Sequence, residues 1–382
     1  MELTFEQGPI RPPSEAKSLL IRATRNCPWN KCAFCRTYQG KKFELRSREE
    51  IKDDIRNARM IADEIRALSW KLGGGGRVTD AVVRLVYKGG NGYNDAFRSV
   101  CAWLYWGGES VFLQDANSLI LKTDELVEIL SFIKEQFPGV NRITSYCRSK
   151  TAARKTVAEL EKIREAGLAR IHMGMESGYD PLLEFIRKGA TAADHVEGGK
   201  RIVSAGISLC EYIIPGLGGE SWSREHAVAT AAAVNAINPD FVRLRSLQVV
   251  KGTGLYERMQ NGEFTPQGDE ETVREIRLFI ENLTGVRTTI VSDHILNLLE
   301  EVEGKLPEDR DRILAVIDTY LSLPEQDRMI FRLGRRQGIY RRLADLNDPV
   351  MYGRLKAVTD EYVPDGAERF DADLKELMHH YI

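Results

Sequence analysis

A repeated pairing of short apolar segments with helical segments constrains the fold more than any other feature of this sequence. Strand-like apolar segments stand at five places after residue 108, namely 110–114, 142–148, 170–176, 208–215 and 241–248. Most are followed by a stretch that ends in helix-stop signals such as Pro-Gly or Ala-Gly. Regular alternation of strand and helix implies right-handed crossovers and a parallel sheet.

Two further segments extend this sheet. An apolar run at 18–26 predicts a first strand, and 287–292 predicts a weaker last one. Because eight strands are needed for a closed barrel, we expect an α/β fold with a partial (β/α)6-type TIM barrel. The barrel domain is predicted to span 1–290, with a helical insertion at about 71–108. Beyond about residue 293 the sequence favours helices only, so 291–382 is predicted to form a helical C-terminal domain.

The charge balance narrows the classes of partner. The 382 residues carry 54 basic and 56 acidic side chains, a formal net charge of -2. Nothing in this balance indicates a protein that coats nucleic acid or a membrane surface. No apolar run reaches ~18 residues, and the start lacks a basic segment followed by an apolar one. We therefore predict a cytoplasmic protein with no membrane partner.

Three of the six cysteines crowd together directly after the first predicted strand, at Cys27, Cys32 and Cys35. In a cytosolic protein such a cluster indicates metal binding before it indicates disulfides. Structural zinc takes four ligands, and the first histidine of the chain is the distant His172. Three thiolates suit a [4Fe–4S] cluster that keeps one iron open, so we favour iron–sulfur over zinc.

The segment Cys27-Pro-Trp-Asn-Lys-Cys32-Ala-Phe34-Cys35 resembles the cluster motif of the radical S-adenosylmethionine (SAM) superfamily. Its spacing is C-x4-C-x2-C, where the superfamily commonly has C-x3-C-x2-C. The aromatic Phe34 before the last cysteine also matches. The resemblance implies that the three cysteines hold a [4Fe–4S] cluster and that the cluster cleaves SAM to a 5′-deoxyadenosyl radical.

Later segments resemble the subgroup that contains oxygen-independent coproporphyrinogen oxidase, methylthiotransferases and the elongator catalytic subunit. The matching stretches are Gly174–Gly178, Arg187–Thr191 and Ile214–Glu220. This resemblance implies SAM contacts from the side chains Glu176, Ser177, Arg187 and Ile214. Many relatives bind the SAM amino group with a Gly-Gly motif at the second barrel strand. Here Gln114 and Asp115 occupy that place and are the candidates for the role.

Strand alternation supports some of these candidates. Along 170–176 it places His172 and Glu176 on one face, and a polar face on a buried strand is costly unless it lines a cavity. We interpret Glu176 as a ribose or methionyl contact and His172 as a hydrogen-bonded core histidine. Arg148, at the end of its strand, suits a carboxylate and competes with Arg187 for that of SAM.

Other arginines leave two interpretations open. Arg243 and Arg245 share a strand face, which predicts either an anionic ligand group or a buried salt-bridge network with Glu211 or Glu176. Near the C-terminus, four arginines flank Tyr340 and could form an RNA-contacting patch, although we favour a solvated helix face. These four are Arg335, Arg336, Arg341 and Arg342.

The cysteine motif and the absence of further cysteine clusters favour a minimal enzyme with one cluster and one SAM. We predict hydrogen abstraction from a small metabolite, with an anionic group as one option. The resemblance also implies a one-electron donor such as flavodoxin or ferredoxin, and nucleic acid is not an expected partner. The alternatives are an RNA- or protein-modifying radical SAM enzyme and a non-catalytic, metal-stabilised binding protein.

Overall fold

The computed structural model describes residues 3–88, 93–362 and 367–379 of the chain. In this part of the chain no helix is long and apolar enough to cross a membrane. The strands are β1 (Leu19–Arg22), β2 (Thr24–Arg25), β3 (Glu44–Leu45), β4 (Ser110–Gln114), β5 (Arg142–Cys147), β6 (Leu168–Glu176), β7 (Ser208–Ile213), β8 (Phe241–Leu244), β9 (Thr289–Val291) and β10 (Gly304–Lys305).

Eight of these strands form one sheet in the order β1-β4-β5-β6-β7-β8-β9-β10, and β2 pairs with β3 in a separate ribbon. The pairs β1/β4, β4/β5, β5/β6 and β8/β9 are parallel, whereas β9/β10 is antiparallel. The predicted α/β class and the incompletely closed, mostly parallel sheet are confirmed. The two-residue strand β10 differs from the expectation of helices alone beyond residue 293. Its brief pairing with β9 has no sequence pattern of its own.

Helices follow or separate the strands, as the alternation predicted. They are α1 (Arg48–Lys71), α2 (Asp80–Lys88), α3 (Asp95–Tyr105), α4 (Thr123–Gln136), α5 (Ser149–Ala152), α6 (Val157–Ala166), α7 (Asp180–Phe185), α8 (Ala192–Ser204), α9 (Gly219–Ile237), α10 (Gly254–Gln260), α11 (Asp269–Glu281), α12 (Arg310–Ser322), α13 (Glu325–Arg336), α14 (Pro349–Asp360) and α15 (Ala367–His379). The predicted insertion contains α2 and α3, and its residues 89–92 lie outside the described residues.

Helix α1 shows how the sequence sets these elements. The Ser47 hydroxyl accepts from the Glu50 amide while the Glu50 carboxylate accepts from the Ser47 amide, a capping box that starts the helix. Its apolar residues recur at helical spacing and are buried as one stripe, at Ile51, Ile55, Ala58, Ala62 and Ile65. Burying one apolar stripe is what stabilises a helix in a protein, so α1 packs by the face its sequence predicts.

The chain forms two compact units. One consists of residues 1–174 with 193–210, and the other of 175–192 with 211–382. We call them the first unit and the second unit. The two units divide the chain at places other than residue 290. The domain boundary expected near that residue stays a prediction.

Within the second unit, the arginines of α13 are buried rather than solvated. Arg332, Arg335 and Arg336 are each less than a tenth exposed, at 7%, 8% and 6%. The favoured interpretation of a solvated face is therefore wrong for Arg335 and Arg336. Their burial also removes them from the alternative of an RNA-contacting patch. Arg341 and Arg342 are exposed. These arginines can be buried because each guanidinium group donates hydrogen bonds to acceptors within the protein.

Asp269, the first residue of α11, is the main acceptor. Its carboxylate accepts from Arg332 Nε at 3.0 Å and from Arg336 Nη2 at 2.6 Å. Arg335 instead donates to the backbone carbonyls of Asn297 and Leu298 at 2.9 Å. Burial alone would raise the pKa of Asp269, but the two arginines outweigh it and hold the pKa at about 2.

We expect Asp269→Asn to lower the free energy of unfolding by about 3 kcal/mol at neutral pH, because removal of one partner leaves buried charge uncompensated. The Asp269 contribution is present above its ordinary pKa of 3.8 and is lost as the pH falls towards about 2. Urea unfolding at neutral and acidic pH measures both effects. The control is Asp318→Asn, which breaks an exposed ion pair with Arg277 and should cost less than about 1 kcal/mol. Equal losses in the two variants would contradict the prediction.

Candidate active site

The three cysteines of the predicted cluster lie on one loop of the first unit, between β2 and β3. These two strands pair antiparallel, which brings the two limbs of the loop together. Cys27, Cys32 and Cys35 are half-buried, as is Phe34 beside them. None of the three is in a disulfide. Three accessible thiols on one short loop are the donor set that an iron–sulfur cluster requires.

The thiols are not drawn together in the described structure. Within the described ranges no group of three His, Cys, Asp or Glu side chains is close enough to hold a metal ion. The three thiols are therefore of the right chemical type to bind an iron–sulfur cluster. Their side chains are not arranged around a common point in the described structure.

Gln114 and Asp115, at the carboxyl end of β4, are buried in the first unit and bonded within the protein. The Gln114 amide accepts from the Gly8 amide at 2.7 Å and donates to the carbonyls of Gly8 and Ile10. Gln114 thus ties the N-terminal segment to β4. The Asp115 carboxylate accepts three bonds, one of them from Arg22 Nε at 2.7 Å. The proposed role of both residues at the SAM amino group stays a prediction.

Arg148 lies directly beyond β5 and does reach the cysteine loop. Its guanidinium stacks over the ring of Trp29, 5.2 Å from the centroid, and Trp29 lies between the first two cysteines. The Arg148 amide donates to Asn117 Oδ1 at 3.1 Å, which fixes the backbone where β5 ends. Sequence reasoning did not assign a role to Trp29, although its place inside the cysteine motif was a signal.

In the second unit, Glu176 is paired with Lys188 rather than with Arg187. The Lys188 ammonium lies 2.8 Å from Glu176 Oε1, and both side chains are nearly buried. Arg187 is exposed and has a left-handed backbone with φ of 53°. The resemblance singled out the basic residue at position 187, whereas the structure places its neighbour beside the glutamate.

Glu211, on β7, is a further carboxyl near this pair. It is fully buried, and neither carboxyl oxygen has a hydrogen-bond partner within the described residues. Burial raises the pKa of Glu211 well above its ordinary value of 4.5. The Lys188 charge acts against this rise and the Glu176 charge adds to it. The protonated, neutral form is therefore favoured, which leaves a buried donor available for a ligand such as SAM.

We expect Glu211→Gln to stabilise the protein increasingly as the pH rises. Below pH 4.5 the folded and unfolded wild-type chains both keep the proton. Above it only the unfolded chain loses the proton, so wild-type stability falls by up to about 1.4 kcal/mol per pH unit until the raised pKa is reached.

Denaturant unfolding between about pH 5 and pH 8 measures this slope. The control is Glu225→Gln, since Glu225 is exposed on α9 and should show no such trend. Parallel stability curves for wild-type and Glu211→Gln protein would refute the proposed protonation state.

A buried network holds the turns that follow β6 and β7, both within the second unit. His226 Nδ1 lies 2.8 Å from the hydroxyl of the predicted site residue Ser177, and His226 Nε2 lies 3.1 Å from the Ile214 carbonyl oxygen. Since a carbonyl only accepts, Nε2 carries the hydrogen and donates it. The Glu275 carboxylate accepts from the Gly216 amide at 2.7 Å. His226 and Glu275 were missed because their partners are distant in sequence.

Arg243 and Arg245 have different surroundings, although both were expected on one face. Arg243 is buried, with Nη2 3.4 Å from an Asp293 carboxylate oxygen and Nη1 3.4 Å from the Tyr212 hydroxyl. Arg245 is exposed, because β8 ends at Leu244. Arg243 therefore has Asp293 as an ion-pair partner. The two interpretations, an anionic ligand group or a salt-bridge network with Glu211 or Glu176, stay predictions.

Just beyond β9, the second unit contains a cleft of about 1050 Å³. Its walls carry carboxylates and guanidinium groups, together with Tyr340. Clefts of this size accommodate metabolites. The lining residues that matter below are Glu300, Glu301, Glu303, Arg341 and Arg342.

Comparison with known proteins gives this geometry a family. Residues 101–231 match the family model described as the radical SAM superfamily. A tRNA uridine(34) acetyltransferase from Methanocaldococcus jannaschii is 26% identical over 119 residues, which are 31% of this chain and 22% of that protein. The same enzyme from Methanocaldococcus infernus is 26% identical over 132 residues, 34% of this chain and 23% of that protein. The chain thus matches about a quarter of the length of these curated relatives.

Among solved structures, methylornithine synthase is similar at 17% identity and a TM-score of 0.40, covering 87% of this chain and 86% of that chain. Coproporphyrinogen III oxidase from Escherichia coli is similar at 14% identity and a TM-score of 0.41, covering 66% of this chain and 49% of that chain.

The mostly parallel α/β sheet, the three-cysteine loop and the family match together define an iron–sulfur enzyme. The match to the radical SAM superfamily covers residues 101–231, about a third of the chain, and agrees with the resemblance of the cysteine motif. The cofactors of this chain are those of the family, a [4Fe–4S] cluster and SAM, as the cysteine motif predicted.

Proposed function

We propose that this radical SAM enzyme abstracts a hydrogen atom from a small metabolite. The observation that supports this best is the cysteine loop, where three thiols free of disulfides lie on one loop with Arg148 stacked on its Trp29. When bound, the cluster and SAM supply a 5′-deoxyadenosyl radical. The protein's own residues bind the cofactors and the substrate, orient them and exclude water from the site.

The individual roles follow from the positions of the residues. We assign Cys27, Cys32 and Cys35 to the cluster, with Phe34 packing beside them. SAM contacts are proposed for Gln114, Asp115, Arg148, Glu176, Ser177, Arg187, Ile214, Arg243 and Arg245. We add that the Lys188 ammonium lies 2.8 Å from Glu176 Oε1 and holds this carboxylate in place, where it could accept a ribose or amino hydrogen.

The cleft beyond β9, within the second unit, is proposed to bind a small charged ligand. Its volume of about 1050 Å³ suits a small ligand, and its walls offer both signs of charge. Arg341 and Arg342 could receive an anionic group there, whereas Glu300 and Glu301 could receive an amine. We further propose a cytoplasmic location and a flavodoxin or ferredoxin as the electron donor.

We expect anaerobic reconstitution with iron and sulfide to load one four-iron cluster, and dithionite with SAM to release 5′-deoxyadenosine. Cys27→Ala, Cys32→Ala and Cys35→Ala should each abolish the product, because each removes one thiolate ligand. Iron and sulfide assays with chromatography provide the measurement.

Cys101→Ala is the matched control, since Cys101 is a fully buried thiol whose burial raises its pKa to about 11. It should keep both cluster and product. Recovery of zinc in place of iron, or a cluster without SAM cleavage, would count against the proposal. Substrate screening by stimulated turnover then narrows the metabolite.

RNA modification is the second candidate, supported by the similarity to tRNA uridine(34) acetyltransferases. Arg341 and Arg342 are exposed and could contact phosphates. Such contacts would make binding strongly dependent on salt.

Under the small-metabolite proposal, we expect no saturable binding of an unmodified tRNA transcript at about 150 mM salt, near the physiological ionic strength. Fluorescence anisotropy at several salt concentrations measures this. If tRNA binds and Arg341→Gln with Arg342→Gln lowers the slope of log affinity against log salt by about two, the RNA alternative is favoured instead. Glu303→Gln in the same cleft is the control and should not lower that slope.

A further inference from the structure

One buried carboxylate bonds to both limbs of the cysteine loop. Asp115 Oδ2 accepts from the Asn26 amide at 2.9 Å, and Asn26 directly precedes Cys27. Asp115 Oδ1 accepts from the Tyr38 hydroxyl at 2.7 Å, and Tyr38 lies shortly after Cys35. All three cysteines therefore lie between two hydrogen bonds to the same side chain.

The burial of Asp115 makes these bonds strong constraints. Its side chain is fully buried, and Tyr38 is only 3% exposed. A buried carboxylate is tolerated only when charge and hydrogen bonds compensate it. Arg22 supplies the charge at 2.7 Å, while Asn26 and Tyr38 supply the remaining donors. If the loop moved away, the carboxylate would lose two of its three partners.

Tyr38 is suited to remain a donor. Burial raises the pKa of its hydroxyl, and the Asp115 carboxylate raises it further. The hydroxyl therefore keeps its hydrogen over the whole physiological range and cannot become a competing negative charge.

The rest of the loop has little regular structure of its own. Asn26 and Asn30 both adopt left-handed backbone conformations, with φ of 67° and 51°. Their side-chain amides donate to the carbonyls of Lys42 and Lys41, each at 2.7 Å, and so attach the outgoing limb to the returning one. Loop shape is thus set by side-chain bonds, and Asp115, which directly follows β4, accepts two of them.

We propose that Asp115 is a positioning residue for the cluster loop. It closes the enlarged C-x4-C-x2-C loop by fixing Asn26 and Tyr38, which limits the arrangements that the three thiols can sample. This inference rests on the assignment of the three cysteines to the cluster. It adds a second function to the SAM contact proposed above for Asp115, because the carboxylate already accepts from Asn26 and Tyr38 of the loop.

The test compares Tyr38→Phe and Asp115→Asn with wild-type protein, in the absence of SAM. Iron and sulfide per chain after reconstitution, and the rate of iron loss to a chelator, are measured under anaerobic conditions. We expect either variant to lose iron roughly tenfold faster, because hydrogen bonds to a charged group are removed. The wild-type and Tyr38→Phe apoproteins should unfold at similar temperatures, since Tyr38→Phe deletes only a hydroxyl.

Asp54→Asn is the matched control. Asp54 is also buried and pairs with an arginine, Arg46 Nη1 at 2.6 Å, but it has no bond to the cysteine loop. It should retain iron as wild-type protein does. Equal iron loss from Asp54→Asn and Asp115→Asn would show a general loss of stability and overturn the proposal.

Two other outcomes would also overturn it. Wild-type iron retention in both Tyr38→Phe and Asp115→Asn would mean that the bonds do not position the thiols. If Asp115→Asn keeps iron as wild-type protein does but binds SAM more weakly in a separate titration of the reconstituted protein, Asp115 acts at the SAM amino group and not on the loop. Since iron retention is measured without SAM or substrate, failure of the hydrogen-abstraction proposal leaves this result unaffected.

Discussion

Ionisable side chains buried at strand ends must be neutralised, and this requirement organises the candidate site in each unit. Three carboxyl groups meet it in three ways. Asp115 is neutralised by Arg22, Glu176 by Lys188, and Glu211 by retaining its own proton. Each solution fixes other parts of the chain, because a buried charge that lost its partner would cost several kcal/mol.

The consequences differ between the two units. In the first unit the Asp115 carboxylate accepts from the Asn26 amide and from the Tyr38 hydroxyl. The hydrogen bonds that compensate its burial therefore also hold the cysteine loop in place. In the second unit, Glu211 lies near Glu176 and favours its neutral form, and its carboxyl group has no hydrogen-bond partner among the described residues. His226 and Glu275 meanwhile fix the turns by bonds to Ser177, Ile214 and Gly216.

Much of the fold could be predicted from the sequence because parallel strands are buried and read as apolar runs. β4 was predicted with its observed bounds. The site was harder. The resemblance indicated Arg187, which is exposed and has a left-handed backbone, whereas its neighbour Lys188 pairs with Glu176. Strand alternation gives no information there, because residue 187 lies outside the strands. The surroundings of Arg335 and Arg336 depended on Asp269 and on carbonyls far away in sequence, which no local pattern reveals.

The backbone at Glu176 limits which side chains natural variation can place there. Its φ of 65° lies in the left-handed region, and its carbonyl oxygen accepts from the Ile214 amide at 3.1 Å. Glycine, asparagine and aspartate adopt this conformation with little strain, whereas β-branched residues do so at considerable cost. Valine, isoleucine and threonine are therefore disfavoured at this position for reasons of backbone geometry alone, whatever ligand the site binds. A mutational scan of position 176 would thus report two separate requirements, one on backbone conformation and one on side-chain chemistry. Comparing Glu176→Gln with Glu176→Val separates the two.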